Sequence, residues 1–131
     1  MLKVHMKPAL NDNYIFVIED TKTRDAICVD PALAEPVNQV LKEHSLKLKY
    51  ILNTHHHYDH VGANMALKSQ HKCEVVAYAG DLDRIPGHDI ALKDGDCFSF
   101  NAHDFEVIYT PGHTLGHIAF YSQKNNIQIP L

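Results

Sequence analysis

Within the six positions 55–60, in the stretch "NTHHHYDHVGAN" (residues 53–64), stand four histidines and one aspartate, directly after the apolar run "LKYILN". Imidazoles this close are neutral at best near pH 7 and repel one another once protonated. A bound cation that takes nitrogen ligands relieves the conflict, and it needs a fold that holds the ligands in place. The cluster therefore predicts a loop delivered by an ordered strand and received by an ordered helix.

The flanking sequence supplies both. "YIFVIED" (14–20) and "DAICVDP" (25–31), separated by the polar "TKTR", read as a β-hairpin. "AEPVNQVLKEHSL" places Pro36 near a helix start and Val37, Val40 and Leu41 at helical spacing, and it leads into the strand "LKYILN". A second helix is expected in "GANMALKSQ", so the histidines fall on a strand-to-helix loop. "EVVAY", "CFSF", "FEVIYT" and "HIAFYS" read as further strands, with "KDGD" (93–96) as a turn whose Lys93 and Asp94 have no other role. Strand-helix-strand order followed by sheet predicts an α/β layered fold. Between the last two strands "PGHTLG" forces an irregular loop that presents His113 and Thr114.

Composition narrows the function. The chain of 131 residues is 45% apolar and carries a net charge of −4 without a basic block, which excludes nucleic acid and anionic membranes as expected partners. The start "MLKVHMKPAL" is a poor secretory signal and no apolar run approaches bilayer length, so a soluble, cytoplasmic protein is expected. Cys28, Cys73 and Cys97 are far apart and form no CxxC pair; reduced, buried or half-buried thiols are expected. His5, His44, His71, His88, His103 and His117 are scattered, and surface or locally satisfied roles are expected for most.

In an extended segment the i, i+2 spacing of His55 and His57 aims both imidazoles one way, while Asp59 and His60 can reach a neighbouring position where a second ion could bind. Imidazole and carboxylate without thiolate suit zinc, with iron or manganese also compatible. His113 is the natural third ligand of a site that keeps a position open for water. Such a centre lowers the pKa of water to about 7, and the chemistry it implies is hydrolysis. His56 and Tyr58 alternate with the ligand pair and are read as scaffold or pocket wall.

"THHHYDHVG" and "TPGHTLGH", with "DNY" at 12–14 and "VDP" at 29–31, resemble the metallo-β-lactamase superfamily, and within it the glyoxalase II (hydroxyacylglutathione hydrolase) branch. The resemblance runs to about Ser122. It implies an αββα sandwich, a dinuclear zinc centre, and hydrolysis of the glutathione thiolester S-lactoylglutathione to glutathione and D-lactate by an activated hydroxide, the closing step of methylglyoxal detoxification. Carried over, His55, His57 and His113 hold the first metal and Asp59 and His60 belong to the second, with Asp59 and His57 counted as catalytic. Asp30 of "VDP" takes a supporting role behind the metal loop, and His117 packs or hydrogen-bonds nearby.

The family pattern continues with a "GDTLF"-like segment, whose aspartate bridges the metals, and with a later histidine; here the chain departs after "FYS" into "QKNNIQIPL". The expectation is one incomplete α/β domain over 1–131, truncated at its C-terminus, with one metal bound and the second site weak. An apolar sheet face left uncovered by that truncation predicts self-association or a complementing C-terminal chain. Two alternatives stand beside the hydrolase: a non-catalytic metal-binding half-domain that needs a partner chain, and another hydrolase of the superfamily or a persulfide dioxygenase.

Overall fold

The computed structural model describes residues 2–9, 13–54, 63–79, 88–109, 118–122 and 127–129. They form β1 (Leu2–Ala9), β2 (Asn13–Asp20), β3 (Asp25–Val29), α1 (Ala34–His44), β4 (Lys47–Leu52), α2 (Asn64–His71), β5 (Glu74–Tyr78), β6 (His88–Leu92), β7 (Cys97–Phe100), β8 (His103–Tyr109), β9 (Ile118–Ser122) and β10 (Ile127–Ile129). Two sheets result, one ordered β1-β2-β3-β4-β5-β6 and one ordered β10-β9-β8-β7.

In the first sheet the hairpin β2–β3 is antiparallel and β3, β4 and β5 run parallel, with α1 and α2 as the crossovers. Strands covered on both faces need apolar residues at every position rather than alternate ones. "DAICV" meets that demand, its last four residues being fully buried. Ala26 and Cys28 join Val37, Val40, Leu41 and Leu67 under the helices, whereas Ile27 and Val29 pack with Phe98, Phe100, Phe105 and Phe120 of the second sheet. A register shift between Ala26 and Ile27 passes over Lys49, so that Leu48 and Ile51, three apart, both face the helices.

Tyr50 links the sheets, its ring edge-on to Phe98 at 5.0 Å and to Phe100 at 6.4 Å. Beyond the aromatic layer β7 and β8 alternate: Phe98, Phe100, Phe105 and Val107 point inward, and Cys97, Ser99, Asp104, Glu106 and Ile108 outward. The expected bare apolar face is therefore not what the described residues of this surface show, since two-residue alternation gives it polar groups with Ile108 as its exposed large apolar residue.

The helices begin without a side-chain cap, and Pro36 sits in the first turn of α1, where its missing N–H is no loss. Ser45 ends α1 in the left-handed conformation, its N–H directed at the Leu41 and Lys42 carbonyls. "KDGD" is a turn as expected: Gly95 has φ +87°, its N–H bonds Val107 O, and Asp96 accepts from Lys93 N. Among the described residues no helix is long and apolar enough to cross a membrane. Cys28 and Cys73 are buried, whereas Cys97 is exposed on the outer face of β7, because its odd position in the strand points away from the aromatic layer.

Candidate metal centre

The carboxyl ends of β3 and β4 carry buried polar groups that a plain core would not hold. Asp30, directly after β3, is 4% exposed and has φ 50°, a conformation Asp tolerates better than most residues. Its Oδ1 accepts from Thr54 N at 2.8 Å and its Oδ2 from Thr54 Oγ1 at 2.6 Å. One carboxylate thus fixes the backbone and side chain of the last described residue before His55. Charge-assisted bonds of this length are among the stronger ones a protein makes.

A second clamp closes on the other end of the loop. Asn53 and Asn64 are both buried; Asn64 Nδ2 donates to Asn53 Oδ1 at 2.6 Å, and Asn53 Nδ2 faces Asn64 Oδ1 at 3.4 Å. Asn53 N bonds Val76 O, and Ala63 N bonds Pro31 O. The departure from β4 and the entry into α2 are thereby tied to each other and to the turn after β3. Sequence reading missed Asn53, Thr54 and Asn64 as positioning residues, although the polar ends of "NTHHHYDHVGAN" were a signal: an Asn-Thr pair continuing a buried strand must find partners.

His55, His57, Asp59 and His60, with His56 and Tyr58, lie in 55–62, and His113, Thr114 and His117 lie in 110–117; both segments are outside the described residues. What the structure gives is the anchorage of Thr54 and Ala63, the residues that flank the first segment. At the far end of the sandwich Asn101 Nδ2 donates to Asp20 Oδ2 at 3.1 Å and to Asp25 Oδ2 at 3.2 Å, joining the β7–β8 turn to the β2–β3 turn. β8 starts there and ends at Tyr109, directly before the segment that carries His113. The donor set of the sequence, imidazoles and one carboxylate, fits a zinc-class divalent ion.

The opposite end gathers histidines that look isolated in sequence. His5 Nε2 donates to Glu19 Oε1 at 3.0 Å, Arg24 Nη1 donates to Glu19 Oε2 at 2.8 Å, and the His5 and His44 rings lie 4.4 Å apart. Burial raises the Glu19 carboxyl, but the His5 hydrogen bond and the charges of Arg24, His5 and His44 outweigh it and leave the group below its ordinary value. Asp20 behaves likewise: burial is outweighed by hydrogen bonds from Asn101, Lys22 N and Thr23 N and by His103, whose Nε2 is 3.6 Å away. His71 donates to Asn38 Oδ1 at 2.6 Å. His5, His71 and His103 are locally satisfied, as expected. Burial pushes the Cys28 thiol well up and raises Cys73, so neither is poised as a nucleophile.

The chain belongs to the metallo-β-lactamase superfamily, whose family model matches residues 10–128. A hydroxyacylglutathione hydrolase of Methylococcus capsulatus is 45% identical over 125 residues, which are 95% of this chain and 49% of that protein. One of Synechococcus sp. is 49% identical over 121 residues, 92% of this chain and 47% of that protein. The chain thus spans about half the length of the curated relatives it matches. Among solved structures, the BLEG-1 B3 metallo-β-lactamase aligns with TM-score 0.82 at 24% identity, covering 98% of this chain and 70% of that one, a likeness of fold.

Proposed function

We propose that the chain serves hydroxyacylglutathione hydrolysis: the thiolester of S-lactoylglutathione is split by water into glutathione and D-lactate, in the cytoplasm, as part of methylglyoxal disposal. The observation that carries the reading is the agreement between the histidine motif and relatives of that name at up to 49% identity. In the proposal His55, His57 and His113 hold one ion, and Asp59 and His60 supply ligands to a weaker second position. Zinc bound at such a centre makes water a nucleophile near neutral pH and polarises a carbonyl. His57 at the first position and Asp59 at the second would hold the ions that supply this chemistry, and both are counted as catalytic for that reason. Asp30 fixes the Thr54 backbone one residue ahead of the first ligand.

The substrate's anionic peptide has no attractive partner in the shallow cavity of about 270 Å³ on the outer face of the second sheet, because Asp96, Asp104 and Glu106 line it. Substrate is expected at the loop end of the sandwich instead. A second reading is a metal-binding domain without turnover, which the same histidine motif supports. Loss of thiolester absorbance with zinc-loaded chain separates the two. Turnover abolished by chelator and by His57→Ala is expected; bound zinc without turnover would replace the hydrolase by the binding domain.

A further inference from the structure

His5, Glu19 and His44 come from three elements, β1, β2 and the last turn of α1, and each offers one ligand atom such that all three atoms lie within 4.8 Å of one another. In β2 the odd positions Ile15 and Val17 face the helices, and Glu19 follows them. His5 pairs with Val17 across β1 and β2 and so shares that face. The group stands at the amino ends of β3 and β4: Glu19 pairs with Ala26, four residues or about 13 Å of strand before Asp30. It is thus at the opposite end of the strands from Asp30 and its partner Thr54.

We propose that His5, Glu19 and His44 form a second binding site for a zinc-class divalent ion, with water as the fourth ligand. Two imidazoles and a carboxylate are a ligand set zinc accepts. Bonds of about 2.0 to 2.1 Å in a tetrahedral site place neighbouring ligand atoms about 3.3 Å apart, and His5 Nε2 stands 3.0 Å from Glu19 Oε1. The ion takes the place of the proton between those two atoms: the Nε2 proton leaves to solvent and, where the ring was neutral, Nδ1 takes one up from solvent, so that the imidazole stays a neutral ligand.

Exposure is graded as such a site needs. The Glu19 side chain is 4% exposed, that of His5 12% and that of His44 36%, so the ion has a buried anionic floor and an entry from the helix end. Arg24 Nη1 holds Glu19 Oε2 and a second guanidinium nitrogen donates to the His44 carbonyl. The guanidinium orients the carboxylate as outer-shell partners of metal ligands do. Its charge also opposes a cation, which limits the affinity. Occupied, the site would fasten the edge strand β1 and the end of α1 to β2.

The test is residue-specific. Zinc is titrated into the full chain while the imidazole resonances of His5 and His44 are followed by NMR, in wild type and in His57→Ala, which lacks a ligand of the other centre. Both resonances should move together in both proteins. His44→Gln, at a half-exposed helix end, should weaken the response of His5 at least tenfold, and Arg24→Gln should strengthen it by about tenfold. If neither resonance moves in wild type or in Arg24→Gln at a tenfold excess of zinc, the cluster is a hydrogen-bond network only and the proposal is wrong, whatever the thiolester assay gives.

Discussion

Asp30→Ala removes acceptors from both Thr54 N and Thr54 Oγ1 in a place that solvent barely reaches, Thr54 being 1% exposed. Hydrogen bonds to a charged group contribute about 1.5 to 3 kcal/mol each, most of it the penalty of leaving the buried partner unpaired. Alanine at φ 50° adds about 1 kcal/mol of backbone strain. Allowing for partial relaxation, the loss should be about 3 to 5 kcal/mol, which for a chain of this size lowers Tm by roughly 10 °C or more. Asp30→Asn keeps one oxygen for Thr54 N, tolerates the left-handed backbone, and lets the Thr54 hydroxyl accept instead of donate, so about 1 to 2 kcal/mol is expected. Thermal and urea unfolding of both variants, with Thr54→Val and the double variant as a cycle, measures the coupling directly. Zinc affinity should fall about tenfold in Asp30→Ala, as for other residues that position ligands. A loss under about 1 kcal/mol, or no coupling to Thr54, would reduce Asp30 to an ordinary turn-former and refute the role given to it.

Asn53→Ala removes the buried bond from Asn64 Nδ2 to Asn53 Oδ1 and should cost about 1 to 3 kcal/mol, whereas the Asn53→Ala/Asn64→Ala pair should cost less than the sum of the singles in a urea cycle. Glu19 and Asp20 have folded pKa values below their ordinary 4.5 and 3.8. Each therefore contributes stability that is fully present above those ordinary values and is lost as pH falls through the lower folded ones. Urea midpoints should drop between about pH 5 and pH 2, with a shallower drop in Glu19→Gln. Phe100→Ala, fully buried between the sheets, should cost about 3 to 5 kcal/mol.

The elements that the sequence pattern revealed are those whose residues are chosen by burial. β3, β5 and β7 appear close to their expected limits because covered strands need unbroken or strictly alternating apolar residues. β1, β6 and β10 were not anticipated, and all three are edge strands; β7 is an edge strand too, but its buried Phe98 and Phe100 keep the alternation plain. An edge strand packs less and must resist pairing with other chains, so it can carry Lys3, Lys7 and Pro8, as β1 does, or the charged Asp89 of β6, and its pattern fades. The His5–Glu19–His44 group was hidden for a related reason. It depends on β1 lying beside β2 and on α1 ending over them, and residues 5, 19 and 44 have no spacing that sequence can reveal.

The two ends of the first sheet bury polar groups for different reasons. In parallel αβ units the carboxyl ends of the strands are where ligands bind, and there Asp30, Asn53, Thr54 and Asn64 sit at 4% exposure or less. Four such residues stabilise the fold less than four apolar ones would, since hydrogen bonds among them only recover what desolvation removed. Their use becomes intelligible if the loop between Thr54 and Ala63 must keep one geometry. At the amino ends the buried carboxylates of Glu19 and Asp20 meet histidines and Arg24, an arrangement that charge neutralisation alone explains for Asp20, with its Asn101, backbone and His103 partners. For Glu19 it explains less, because a second imidazole, His44, lies tilted against the first, and the ligand atoms of all three residues are within 4.8 Å of one another. Two histidines beside one carboxylate already paired to arginine exceed what its charge requires, and a divalent ion is what would use the excess.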